Sequence, residues 1–89
     1  MSRTLLIADE VALGTNAAAG SSISNATVVR LFNGSGGIAT VSMASTVGAA
    51  DTASFTMPDN HVEYLEKSAT YVIWATSTSV KAAKVGFTG

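Results

Sequence analysis

The chain has no cysteine, one proline, one histidine and few charges. Without cysteine, neither a disulfide nor a thiolate zinc site can brace so small a fold. Charged residues make up 12% of the 89, against roughly 25% in an ordinary soluble domain. The net charge of −1 sets up no field that would hold nucleic acid or an anionic membrane. Long apolar runs are missing as well. "LLIA" (Leu5–Ala8) is cut off by Asp9 and Glu10, short of the ~7–15 residues of a secretory core and the ~18 of a membrane span. The expectation is a chain made and folded in a cytoplasm, with neither nucleic acid nor membrane as partner.

Small and hydroxyl-bearing residues take the place of charge. Eleven Ser, eleven Thr, fifteen Ala and eight Gly fill more than half of the chain. Two readings stay open: a small β-rich domain with a Ser/Thr-covered face, or a surface covered by copies of itself or by partners. At this length there is one domain, and small scaffolds without staples often gain stability by association.

The dominant period is two. In "GIATVSMA", Ala39, Val41 and Met43 alternate with Thr40 and Ser42; in "DTASFTMP", Ala53, Phe55 and Met57 alternate with Thr52, Ser54 and Thr56. Such alternation marks strands with one face on a core and one hydroxyl-covered face. "ATVVRLF" (Ala26–Phe32) and "TYVIWAT" (Thr70–Thr76) are more continuously apolar, as inner strands are. "AAKVGFT" places Ala83, Val85 and Phe87 on one face of a last strand. Between these segments, "NGSGG" (Asn33–Gly37) reads as a hairpin loop, because Asn and Gly tolerate positive φ. "STVGAAD" and "PDN" read as the next two connections. The fold class expected is all-β: a small antiparallel β-sandwich, or a partly open barrel, of six to eight short strands.

The first 24 residues read differently. "TLLIADEVAL" suits either a strand pair or a short helix, and "NAAAGSSISN" has the composition of a loop or an arm. The division expected is an N-terminal strand or arm over residues 1–24 and a sandwich core over residues 25–89. Such an arm should be removable without unfolding the rest.

The chemistry candidates converge on "SFTMPDNHVEYLEK" (Ser54–Lys67), which holds the sole proline and histidine. On a strand starting at His61, that residue shares a face with Glu63 and Leu65, spaced as two metal ligands would be. A zinc or non-haem iron site needs a third and usually a fourth ligand; the chain has no second His and no Cys, and the scattered carboxylates that remain make weak sites for those metals. A turn at Pro58–Asn60 followed by a returning strand explains the segment. No Ser lies in a nucleophile-elbow context. "GSGG" lacks the helix and Lys-Ser/Thr pair of a phosphate loop. The sequons at Asn25 and Asn33 have no signal peptide beside them. No catalytic residue, cofactor or metal is expected. Trp74, Tyr64 and Tyr71 suit core or interface packing, with a sugar-stacking platform as the alternative.

The order of segments resembles small β-sandwich virion proteins of tailed phages of marine cyanobacteria. Val29–Asn33 matches their strand-and-loop "VRL-N-G" pattern. Phe55–Asn60 matches a "P-x-N/G" turn, Glu63–Lys67 an "E-x-(L/V)-x-K" strand, and Ile73 with Ala75 an "I-x-A" strand. The resemblance spans residues 25–89 and implies a non-enzymatic virion structural protein. Its first form is a capsid decoration (cement) protein acting by oligomerisation and shell contacts. The alternative is a neck or tail accessory, or a carbohydrate- or receptor-binding module. The implied partners are further copies of the chain and the major capsid or other virion proteins, and the implied location is the virion. The contact residues expected are Leu5, Leu6 and Ile7 in the arm, Asn33 and Gly34 in the Gly-rich loop, and Trp74.

Overall fold

A computed structural model describes the backbone of residues 3–88 and the side chains of residues 4–86. Eight strands follow one another: β1 (Arg3–Leu6), β2 (Val11–Ala12), β3 (Val28–Asn33), β4 (Ala39–Ala44), β5 (Ala53–Met57), β6 (Val62–Glu66), β7 (Val72–Ala75) and β8 (Val80–Thr88). The only helical element among the described residues is a single 3₁₀ turn, Ala17–Ala19. Two antiparallel sheets result. One has the order β1–β8–β3–β6, with β2 also on β8; the other has the order β5–β4–β7. The all-β, sandwich-like reading stands.

Period-two alternation builds the core between the sheets. Val29 and Leu31 of β3, Ala39 and Val41 of β4, Met57 of β5, Ile73 and Ala75 of β7, and Val80 and Ala82 of β8 are buried in one cluster. Thr40 and Ser42 lie on the opposite face of β4, as alternation requires. On one flank Met43, Phe55 and Leu65 pack against the cluster and span the space between β5 and β6.

The hairpin expected at Asn33–Gly37 is an arch. β3 pairs with β6 and β8, whereas β4 pairs with β5 and β7, so the loop carries the chain from one sheet to the other. The Pro58–His61 turn does the same between β5 and β6. Only β4 and β5 form a hairpin among the six strands from β3 onward. Turn chemistry is the same in both cases, because a positive-φ glycine such as Gly36 (φ 86°) permits either.

The N-terminal segment is part of the body. β1 and β2 both lie along the free side of β8, with Leu6 opposite Val85 and Val11 opposite Ala82. Four residues separate Leu6 from Val11 while two separate Ala82 from Val85, so the N-terminal side bulges. The N–H groups of both Ile7 and Ala8 point at the Lys84 carbonyl, at 3.0 and 3.4 Å. Leu13 and Ile23 then enter the core cluster. Between them the chain crosses to the other sheet and covers the edge of β7. Ser21 and Ile73 exchange backbone bonds of 3.1 and 2.9 Å, and Ala75 N–H donates to the Gly14 carbonyl at 3.0 Å. Residues 3–24 thus form strands and a loop docked on the body rather than a detached arm: burying Leu13 and Ile23 requires the segment to stay docked.

Candidate interaction surface

The sequence candidates fall into three places. His61 and Glu63 follow the Pro58–Asn60 turn, where Asn60 adopts φ 60° and His61 N–H donates to the Pro58 carbonyl at 3.3 Å. Their side chains meet at 3.4 Å, Nε2 to Oε1, on an exposed surface. Among the described residues no group of three or more His, Asp or Glu side chains comes together to hold a metal ion. The segment is a turn and a returning strand.

Asn33 and Gly34 form a latch. The Asn33 side chain is completely buried. Its Nδ2 reaches the carbonyls of Gly37 (2.8 Å), Met57 (3.0 Å) and Pro58 (3.1 Å), and its Oδ1 accepts from Ser35 N–H at 3.0 Å. Asp59 adds to the tie by accepting from Gly36 N–H at 3.1 Å. One amide thus fastens the β3–β4 arch to the β5–β6 turn, satisfying carbonyls that burial would otherwise orphan. Asn33 is accordingly not a contact residue on this surface. Gly34 is exposed, yet it is constrained from within: its N–H donates to the Ser79 carbonyl at 3.1 Å. A Cβ there would lie 3.0 Å from Phe32 and 3.3 Å from that carbonyl.

The aromatics do not assemble into one platform. Trp74 lies on the outer face of the three-stranded sheet, beside Ser42, while Ile73 and Ala75 point inward. Tyr64 lies opposite Arg30 on the outer face of the other sheet, across the sandwich. Tyr71 sits in the loop before β7.

Leu5, Leu6 and Ile7 are the apolar candidates that stand most exposed. They are 52%, 63% and 52% exposed, and Val11 continues the strip. Exposed large apolar side chains also occur singly at Ile38 and Val47 in loops and at Tyr64. Among the described residues only the N-terminal edge holds them consecutively, Leu5 and Leu6 in β1 and Ile7 just after it. Beside it, Thr4, Leu6, Asp9, Glu10, Arg30, Ala83 and Val85 line a shallow groove of about 400 Å³ on the outer face of the sheet. Arg30 Nη1 donates to Glu10 Oε2 at 3.2 Å there, so that charge is answered within the chain. Thr4 Oγ1 donates to the Tyr64 hydroxyl at 3.3 Å and ties β1 to β6 over the same face. The apolar space between β4, β5 and β6, lined by Val41, Met43, Phe55 and Leu65, measures about 70 Å³. That is room for a side-chain tip and far below the ~300–1,000 Å³ of a ligand pocket.

One buried charge escaped the sequence reading. Lys67, at the end of β6, is 6% exposed. Its Nζ donates to the carbonyls of Tyr71 (2.8 Å), Ser68 (3.3 Å) and Ala69 (3.4 Å). Burial pushes its ammonium below the ordinary lysine value of 10.5. The ammonium organises the loop between β6 and β7; it faces main-chain oxygens rather than a carboxylate. Extending the alternation His61–Glu63–Leu65 by one step would have placed Lys67 on the inward side.

No family model, curated protein or solved structure matches this chain.

Proposed function

We propose that this chain is a non-enzymatic virion structural protein of a tailed phage, a capsid decoration protein that acts through contacts with itself and with the shell. The observation that carries the reading is the N-terminal edge. Three consecutive large apolar side chains, Leu5 and Leu6 of β1 and Ile7 just after it, stand more than half exposed at an edge with no further strand beside it among the described residues. Leu5 and Ile7 stand on one face and Leu6 on the other, so an open edge is apolar on both sides, which favours association. The polar groups with most partners, Asn33 and Lys67, hold loops together, a structural use that agrees with this reading. The low charge of the chain supports the same reading, because it weakens repulsion between copies. Many-copy assembly then makes a small contact sufficient, since avidity multiplies weak bonds. The resemblance of residues 25–89 to phage β-sandwich virion proteins supplies the virion setting.

The test is a quantitative mass-spectrometric count of the chain in purified particles. A copy number comparable to that of the major capsid protein is the expected result. A few copies per particle would assign the chain to the neck or tail. Its absence from particles would overturn the reading.

A further inference from the structure

The free edges of the sheets are not equivalent. The edge of β7 is covered by Gly14–Ser21. β6 carries Glu63 and Glu66 along its five residues, and β2 is two residues long beside Asp9 and Glu10. β5 turns Phe55 and Met57 toward the core and leaves Ser54 and Thr56 outside. Charges and short length of this kind discourage strand addition, as does Pro58 directly after β5. β1 carries one charge, Arg3 at its start, and from Thr4 to Ile7 the strand and its extension contain no charge, proline or glycine.

The backbone of β1 has a defined polarity. Ile7 N–H donates to the Lys84 carbonyl, so Ile7 and Lys84 form a hydrogen-bonded pair. Antiparallel ladders alternate, which makes Leu5–Gly86 the next bonded pair. Leu6–Val85 and Thr4–Phe87 are then non-bonded pairs. The N–H and C=O groups of Thr4 and Leu6 therefore point away from β8, at the open edge.

We infer that two copies of the chain join through β1, antiparallel, about a two-fold axis at Leu5. Thr4 of each copy faces Leu6 of the other, and their outward N–H and C=O groups satisfy one another. Leu5 meets its own counterpart in a non-bonded pair, the position where cross-strand side chains come closest. The five-stranded sheets of the two copies become one continuous sheet. The occupant is a second copy because the edge is self-complementary. An antiparallel pair of identical strands is in register about a single point, and Leu5 is midway between the two residues whose groups are free. The contact rests on the reading of the chain as self-associating and names the surface it uses. A four-residue strand offers far less than the ~800 Å² per partner of a standard interface, so the dimer forms at high concentration.

Because the chain has no cysteine, Leu5→Cys places a lone thiol on the proposed axis. Under mild oxidation it should form a covalent dimer at a rate at least about tenfold above that of Val47→Cys, an equally exposed control elsewhere. The mass of the unmodified chain by light scattering should climb from 9.0 kDa and level off at about twice that value. Leu6→Lys should raise the concentration needed roughly tenfold with an unchanged circular-dichroism spectrum. Equal oxidation rates in the two cysteine variants would overturn the inference. So would a mass that keeps rising past two copies, or a monomer at every concentration. Particle content is a separate readout: a dimer missing from particles keeps this contact and removes the virion reading, and a monomer found in particles does the reverse.

Discussion

Asn33 Nδ2 lies 3.0 Å from the main-chain oxygen of Met57, a bond that joins the last residue of β3 to the last residue of β5 across the two sheets. The same amide holds two further carbonyls and one N–H. Replacing Asn33 by Ala should orphan several of these groups at once and cost about 3 kcal/mol, a large share of the roughly 5–15 kcal/mol that such domains possess. Asp59→Ala, which removes one exposed bond to Gly36, should cost no more than about 1 kcal/mol. Urea midpoints of the two variants measure the difference. Equal losses would show that the latch is not centred on Asn33.

Lys67 offers a pH test. Its folded-state pKa lies below the unfolded value of 10.5. Between those two values the unfolded chain binds more protons than the folded one, so stability contributed at this site rises with pH through that window. Below the window the charged ammonium is a constant cost, but its removal would take a partner from three loop carbonyls. Lys67→Met should therefore be less stable by about 1–3 kcal/mol at neutral pH. Its melting temperature should also lack the wild-type gain as pH approaches 10.5. Parallel melting curves against pH for the two proteins would refute the assignment.

The turn at Ile23–Ser24–Asn25 has three consecutive residues with φ of 53°, 57° and 58°. Side chains there cost roughly 1–2 kcal/mol each. The turn is held by Ser21 and Ser22, whose hydroxyls accept from the N–H groups of Ile23 and Asn25. Ser24→Gly should raise stability by about 0.5 kcal/mol, the relief being partly offset by the greater freedom of glycine when unfolded. Ser24→Val should lower it by about 1 kcal/mol. The order Gly, Ser, Val in denaturant midpoint is the expected result, and the reverse order would exclude a left-handed turn.

Deletion of residues 2–24 should abolish folding, because it removes Leu13 and Ile23 from the core and uncovers the edge of β7. Removal of residues 2–8 should leave a cooperative unfolding transition. Circular dichroism with thermal melting distinguishes the two. A folded protein after the longer deletion would restore the separable arm.

β4 and β5 were legible because Ser/Thr alternates with Val, Met, Phe and Ala at a period of two, and β3 and β7 because they are more continuously apolar. Which strand pairs with which was not. "NGSGG" has the residues of a hairpin, and whether Asn33 closes a ladder or crosses to the other sheet depends on contacts with Met57 and Pro58, some twenty-five positions away. The docking of the N-terminus was hidden for a similar reason. Ile23 is an isolated apolar residue in a Ser- and Asn-rich stretch and Leu13 ends the short run Val11–Leu13, and their burial comes from shape rather than pattern. The exposed edge was the opposite case. Leu5, Leu6 and Ile7 stand together in the row, and three consecutive apolar residues on a half-covered strand cannot all face inward.

The bulge before β2 gives the molecule an adjustable joint. The link from Leu6 to Val11 takes up two residues more than the facing stretch of β8 requires. An even change leaves every side chain of β1 on its present side. Losing one residue would exchange the sides of Leu5 and Leu6 while leaving β2 and everything after it untouched. The outermost strand can thus be re-phased by length alone, and a lineage could alter what this rim meets without revising the body that carries it.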